Sequence, residues 1–151
     1  MPAFLVAIRN PAAELTAVEI TYLSPGGRRT SRLKLSRKTI GVMEPSSAVR
    51  VDPVGPELLV AEGFWTTLSA RQRVGVPAWS LTCTRNMRSF VPPDEVQVLH
   101  IARDNGADGT NAADTLAHRA RGLGKTVIGH APLARFDDFN SWHMAHLGLT
   151  G

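Results

Sequence analysis

Two hydrophobic rhythms divide the sequence. Over the first third, apolar and polar residues alternate, the period of half-buried antiparallel strands. "AFLVAI" at 3–8 predicts a strand, and Asn10-Pro11 marks a turn. Across 16–23, Val18, Ile20 and Tyr22 face one way and Glu19 and Thr21 the other. "SPGG" at 24–27 is a turn. "SRLKL" at 31–35 alternates again, with Leu33 and Leu35 opposite Arg32 and Lys34. These segments predict a small antiparallel sheet with one basic face. "MEPSSAVRVDPVGP", which carries three prolines, reads as a loop-rich joint.

From residue 57 the pattern changes to short, wholly apolar runs separated by helical spacing. "ELLVA" (57–61), "VPAWSL" (76–81), "VQVLHIA" (96–102) and "TVIGHA" (126–131) read as strands buried on both faces. Between them, "FWTTLSARQR" predicts a helix and "TRNMRSF" a short one ended by Pro92-Pro93. A longer helix carries Ala113, Leu116, Ala117 and Ala120 at helical spacing and closes at Gly122 and Gly124 near Arg119 and Arg121. A last short helix spans 140–147. Strand and helix in alternation predict an α/β fold: a parallel four-stranded sheet flanked by helices, with right-handed crossovers. Residues 1–56 form an N-terminal antiparallel β extension and 57–151 the α/β core, together one compact unit. The core contains no internal repeat or low-complexity tract.

Composition narrows the class. With 151 residues and 43% hydrophobic content the chain can bury a core, which excludes global disorder. No apolar run approaches the roughly 20 residues of a membrane span, and "MPAFLVAIRNP" lacks the basic start of a signal peptide. A single cysteine, Cys83, excludes an internal disulfide and a cysteine-rich zinc site, and fits a reducing cytoplasm. Net charge is +4. Arg28, Arg29, Arg32, Lys34, Arg37 and Lys38 place six bases within eleven residues, with no acid between them. Such a run is either a solvated strand face or a strip that contacts phosphates.

The chemistry-bearing residues are acids. In parallel α/β sheets reactive groups gather at the carboxyl ends of strands. Glu62 directly follows "LLVA", Asp104 follows "LHIA" with Asp108 further along the loop, and Asp137 and Asp138 stand in "RFDDFN" beyond the fourth strand. Carboxylates converging there would repel one another unless a cation lay among them. Hard oxygen ligands with an open position suit Mg²⁺. Each acid also has a plainer reading. Glu62 could start the following helix, Asp104 could cap a turn, and Asp108 could cap the next helix. "DNGADG" lacks the glutamate of a calcium-binding loop, and His118, His130, His143 and His146 form no sound ligand set. Trp65 and Trp79 read as core, and Trp142 as packing the last helix down.

"VAEG" at one strand end and "IARDNGADG" at another resemble the Toprim domain, closest to the Toprim segment of primases and primase-helicases from phages, plasmids and mobile elements. "AVRV", "LLVAEGFWTTLSA", "VPAWSL", "VPPDEVQVLHIARDNGADGTNAADTLAHRA" and "DDFNSW" follow the family's order, and "TYLSPGGR" resembles its lead-in strand pair. The resemblance implies a Rossmann-like core and Mg²⁺- or Mn²⁺-dependent nucleotidyl transfer. It implies that Glu62 assists proton transfer or binds metal, that Asp104 is a metal ligand, and that Asp138 and Asn140 stand in an outer shell. Gly106 occupies the place of the family's second aspartate, and Asp108 is the nearest substitute as ligand and catalytic group. The implied partner is nucleic acid, a single-stranded template or primer-template held by the strip at 28–38, with a helicase or further primase subunit. Two other readings stay open. One is a Toprim nuclease cleaving DNA or RNA; the other is a non-catalytic module that binds nucleic acid or protein and retains the fold.

Overall fold

The computed structural model describes residues 1–149. The chain opens with an antiparallel sheet of three strands: β1 (Ala3–Arg9), β2 (Leu15–Tyr22) and β3 (Arg37–Gly41), in the order β1-β2-β3. Their register puts Val6, Ile8, Ala17 and Thr21 on the inner face, all buried. Leu5, Val18, Ile20 and Ile40 share the outer face, where Leu5 and Ile40 are more than half exposed. The predicted strand at 31–35 is absent. That segment is irregular, and the pairing falls instead on "RKTIG". The expected single basic face is not formed either. Arg28 and Arg29 stand in the hairpin turn after β2, Arg32 and Lys34 in the irregular segment, and Arg37 and Lys38 on opposite faces of β3.

The joint read as loop contains β4 (Val49–Arg50). It adds to a second sheet whose other strands are β5 (Glu57–Ala61), β6 (Ala78–Ser80), β7 (Val98–Ala102) and β8 (Thr126–His130). The order is β4-β6-β5-β7-β8. The last four are mutually parallel, as predicted, and β4 is an antiparallel edge strand that periodicity did not reveal.

Helices cover both faces. Leu58, Val60, Leu99 and Ile101 pack against α2 (Thr84–Ser89) and α3 (Ala107–Gly122), through Met87, Ala113 and Leu116. Burying each such aliphatic side chain contributes about 1.5–3 kcal/mol. On the other face, Leu59, Ala61, Ala78 and Ala102 meet α1 (Phe64–Val74) and α4 (Phe139–His146) through Ala70 and Phe139. Trp79 is buried in the core as predicted, and Trp142 lies beside Phe139 on α4 and packs that helix onto this face, with the Arg73 guanidinium 3.6 Å from its ring centre. Toward the β8 edge the same face carries a polar chain. His100 Nε2 lies 2.9 Å from the Glu57 carboxylate, and His100 Nδ1 lies 2.9 Å from His130 Nε2.

Two side chains join the layers. Asp52 accepts two 2.7 Å hydrogen bonds from Arg71 and one from the Ala78 amide, and the Arg71 bond holds its carboxyl below the usual range. Asn86 donates to the carbonyls of Ser47 and Leu81 and accepts from the Ser46 amide, tying the joint to the start of α2. Among the described residues, no helix is long and apolar enough to cross a membrane.

At the end of β3, Gly41 has φ +108°, and a Cβ there would lie 2.3 Å from the Thr16 carbonyl oxygen. Gly41→Ala therefore strains the β2–β3 pairing at a cost of about 1–3 kcal/mol. Its melting temperature is expected several degrees below that of the wild type; coincident melting curves would contradict the pairing described.

Candidate functional site

The site starts from strand register. Parallel pairing sets Ala61 directly beside Ala102, so β5 and β7 end level and side by side. Glu62 directly follows the first strand end and Asp104 stands two residues beyond the second. The Glu62 carbonyl accepts a 2.9 Å bond from the Ser80 hydroxyl, which fixes the turn into α1 to the end of β6. Gly63, not Glu62, holds the N-cap position of α1.

A third segment is brought in by Asn105. Its side-chain amide donates to the carbonyls of Pro132, Leu133 and Phe136, and its backbone amide donates to the Asp137 carbonyl at 2.8 Å. The loop after β8 is thereby folded toward Asp104. Asp138 caps α4, accepting from the amide and hydroxyl of Ser141 at 2.7 and 2.8 Å. The sequence pattern does not single out Asn105. An Asn in the loop just beyond a strand end, whose amide readily bonds backbone, is the signal that could have found it.

The three segments enclose a cleft of about 210 Å³, to which Glu62, Asp104, Asp138 and Asn140 all contribute. Arg37 reaches it from β3, and Thr82 from the end of β6. Thr82 adopts φ +70°, a strained backbone for a β-branched residue. Trp65 stands on the rim and is 41% exposed, so it is not the core residue the pattern predicted.

Electrostatics in the cleft match convergent acids. Burial, and after it the carboxylates of Glu62, Asp138 and Asp137, push Asp104 up to about 6. Glu62 is raised too, by burial and then by Asp108, against the opposing pull of Arg37 and Arg88. The Oδ1 atom of Asp104 is buried without a hydrogen-bond partner. A buried carboxylate oxygen with no donor is a costly arrangement that a bound cation relieves.

Asp108 does not line the cleft, although its charge reaches Glu62. It lies in the first turn of α3, after the N-cap Gly106, and its exposed carboxylate is paired with Arg88. Hydrogen bonds from Arg88 and then Thr84 hold it below the usual carboxylate range. Among the described residues, no three acid, histidine or cysteine side chains are close enough to form a metal centre by themselves. Of the basic strip, only Arg37 lines the cleft. Arg28 and Arg29 line an adjoining groove, and the Lys38 ammonium sits 5.4 Å above the Tyr22 ring on the far side of the sheet.

Known proteins agree with this architecture. Three primase structures share the fold. The primase fragment of the bacteriophage T7 primase-helicase superposes with a TM-score of 0.62 at 14% identity, covering 96% of this chain and 57% of that one. A DNA primase domain from Pseudomonas aeruginosa gives 0.60 at 15% identity, covering 95% and 47%. The RNA polymerase domain of Mycobacterium tuberculosis primase gives 0.54 at 14%, covering 97% and 54%. The chain thus spans about half the length of these relatives. No curated protein matches the sequence. The Toprim domain family model matches residues 57–148, from the start of β5 to just beyond α4. The chain belongs to the Toprim family.

Proposed function

We propose that this primase-type Toprim module provides a Mg²⁺-dependent centre for nucleotidyl transfer on nucleic acid, acting within a larger primase or with a partner. The observation that carries this reading is Asp104. Its carboxylate is half-buried, flanked by Glu62 and Asp138, and has one buried oxygen without a donor, at the carboxyl ends of parallel strands. These groups fit a hard divalent ion, with Glu62 and Asp104 to hold it. When bound, Mg²⁺ or Mn²⁺ would neutralise phosphate charge and orient the reacting oxygens.

The chain's own residues supply the remainder. Glu62, its carboxyl raised by burial, faces the cleft and can accept and return a proton there. Arg37 faces the same cleft and can pair with a phosphate oxygen. Asp138, whose Oδ1 is committed to Ser141, adds negative charge from the rim. The chain's positive excess, concentrated at 28–38, suits a polyanionic strand bound without regard to sequence.

One observation favours a second reading, the non-catalytic nucleic-acid-binding module. Gly106 brings no carboxylate, and Asp108 does not line the cleft and is paired with Arg88. One assay separates the readings. The 151-residue chain is incubated with single-stranded DNA and Mg²⁺ or Mn²⁺, with and without nucleotides. Nucleotidyl transfer predicts labelled extension products, reduced roughly 10²-fold or more in Glu62→Gln and Asp104→Asn. Strand cleavage without nucleotides would identify a nuclease. Neither product, with strand binding intact in both variants, would identify the binding module.

Stability gives a second test. Because Asp104 has a folded-state pKa above its ordinary value, the folded protein binds more protons than the unfolded chain between about pH 4 and 6. The charged form therefore destabilises the fold above that window, and the effect vanishes below it. Asp104→Asn should melt roughly 2–4 °C above the wild type at pH 7.5, on the order of 1 kcal/mol after solvent screening, and level with it at pH 3.5. Millimolar Mg²⁺ or Mn²⁺ should raise the wild-type melting temperature at pH 7.5 and leave Asp104→Asn unmoved. A metal shift of equal size in both would remove Asp104 from the ion's coordination.

Gly109 supplies a third. A Cβ there would come 3.1 Å from the Cβ of Asp104. Gly109→Ala keeps every charge yet crowds the acid, so metal-induced stabilisation should weaken severalfold while the metal-free melting temperature changes little. An unaltered metal response would show that Asp104 can shift without consequence.

A further inference from the structure

Beside the acid cleft runs a second groove, of about 320 Å³, between the β2–β3 hairpin and the α1–α4 side of the core. Its lining includes Thr21, Leu23, Arg28, Arg29, Trp65 and Met144, and no acid. Trp65 and Asn140 border both spaces, so groove and cleft adjoin.

Trp65 is the unusual member. The buried side of α1 is Thr66, Thr67, Ser69 and Ala70, and Trp65 lies off that stripe. It is not loose, however. The Phe4 ring lies against it at 5.1 Å, and the Phe64 ring meets it edge-on at 5.2 Å. A large aromatic plane is thus held in place by two others while remaining 41% exposed. The arginines opposite are also on an ordered element. The turn is closed by hydrogen bonds from the Ser24 amide to the Arg28 carbonyl and from the Gly27 amide to the Ser24 carbonyl, at 2.7 and 2.9 Å.

A fixed aromatic plane and two guanidinium groups lining one groove that carries no acid suit a base with its attached phosphates. Stacking is indifferent to base identity because every base has a π-face, and the arginines supply the sequence-independent charge. We propose that this groove is a stacking subsite for single-stranded nucleic acid, with Trp65 as the platform and Arg28 and Arg29 on the backbone, directing the strand into the acid cleft. The subsite rests on the reading of that cleft as a centre acting on nucleic acid.

The test is fluorescence anisotropy with a labelled oligothymidylate of about 12 nucleotides and its abasic counterpart, over a range of salt concentrations. The abasic strand should bind the wild-type chain roughly 5- to 100-fold more weakly than the intact one. Trp65→Leu should bind the intact strand more weakly by a similar factor, with an unchanged salt slope, and should no longer distinguish the two strands. Trp65→Phe should recover much of the loss. Arg28→Ala with Arg29→Ala should instead flatten the salt slope. The abasic comparison needs no variant, so a folding defect at Trp65 cannot decide the result. Equal wild-type affinity for the two strands overturns the stacking subsite and leaves the proposed function standing. No saturable binding of either strand overturns both.

Discussion

Everything at the site follows from two parallel strands ending level. Ala61 and Ala102 are register partners, and both are small, buried and followed within two residues by an acid. Hydrogen bonding along the shared edge costs the two chains any freedom to slide, because a one-residue slip would turn Leu58, Val60, Leu99 and Ile101 away from the α2–α3 layer. The apolar core thereby fixes the separation of two carboxylates that it does not touch. Holding Asp104 half-buried there is an expense set against burial on both faces of the sheet, and it shows in a carboxyl raised first by burial and then by the charge of Glu62.

Much of this was legible in the sequence because strands buried on both faces must be apolar throughout. The runs at 57–61, 96–102 and 126–131 each became a parallel strand within a residue or two of the predicted bounds. Acids directly after such runs are conspicuous, and Glu62, Asp104, Asp138 and Asn140 all line one cleft. Three residues of "AVRV" became or bordered β4 without being recognised, since two residues are too few to show a period. At β3 the pattern misled. "SRLKL" alternates and is irregular, whereas "RKTIG" carries one large apolar residue and pairs with β2. An edge strand is chosen by backbone bonds to its neighbour, and side-chain patterning there is weak.

Asp108 and Trp65 mark a different limit. Spacing put Asp108 near the acids, but what decides its role is Arg88, twenty residues earlier, on a helix that packs beside α3. No local reading of "DNGADG" contains that guanidinium. Trp65 was assigned to the core because tryptophans usually are, and its exposure depends on how far the N-terminal hairpin stands from α1. Both residues are defined by contacts between segments, which periodicity along one segment does not encode.

Asn86 has a consequence beyond tying two loops. Its single amide holds the joint onto the end of β6, around Ser46, Ser47 and Leu81, beside the paired backbone bonds of Arg9 and Ala48 that link the two sheets. Removing that amide would strip a partner from three backbone groups at once while leaving every charged group in the sequence. Sturdiness can therefore be lost at this joint without any change to the acids themselves.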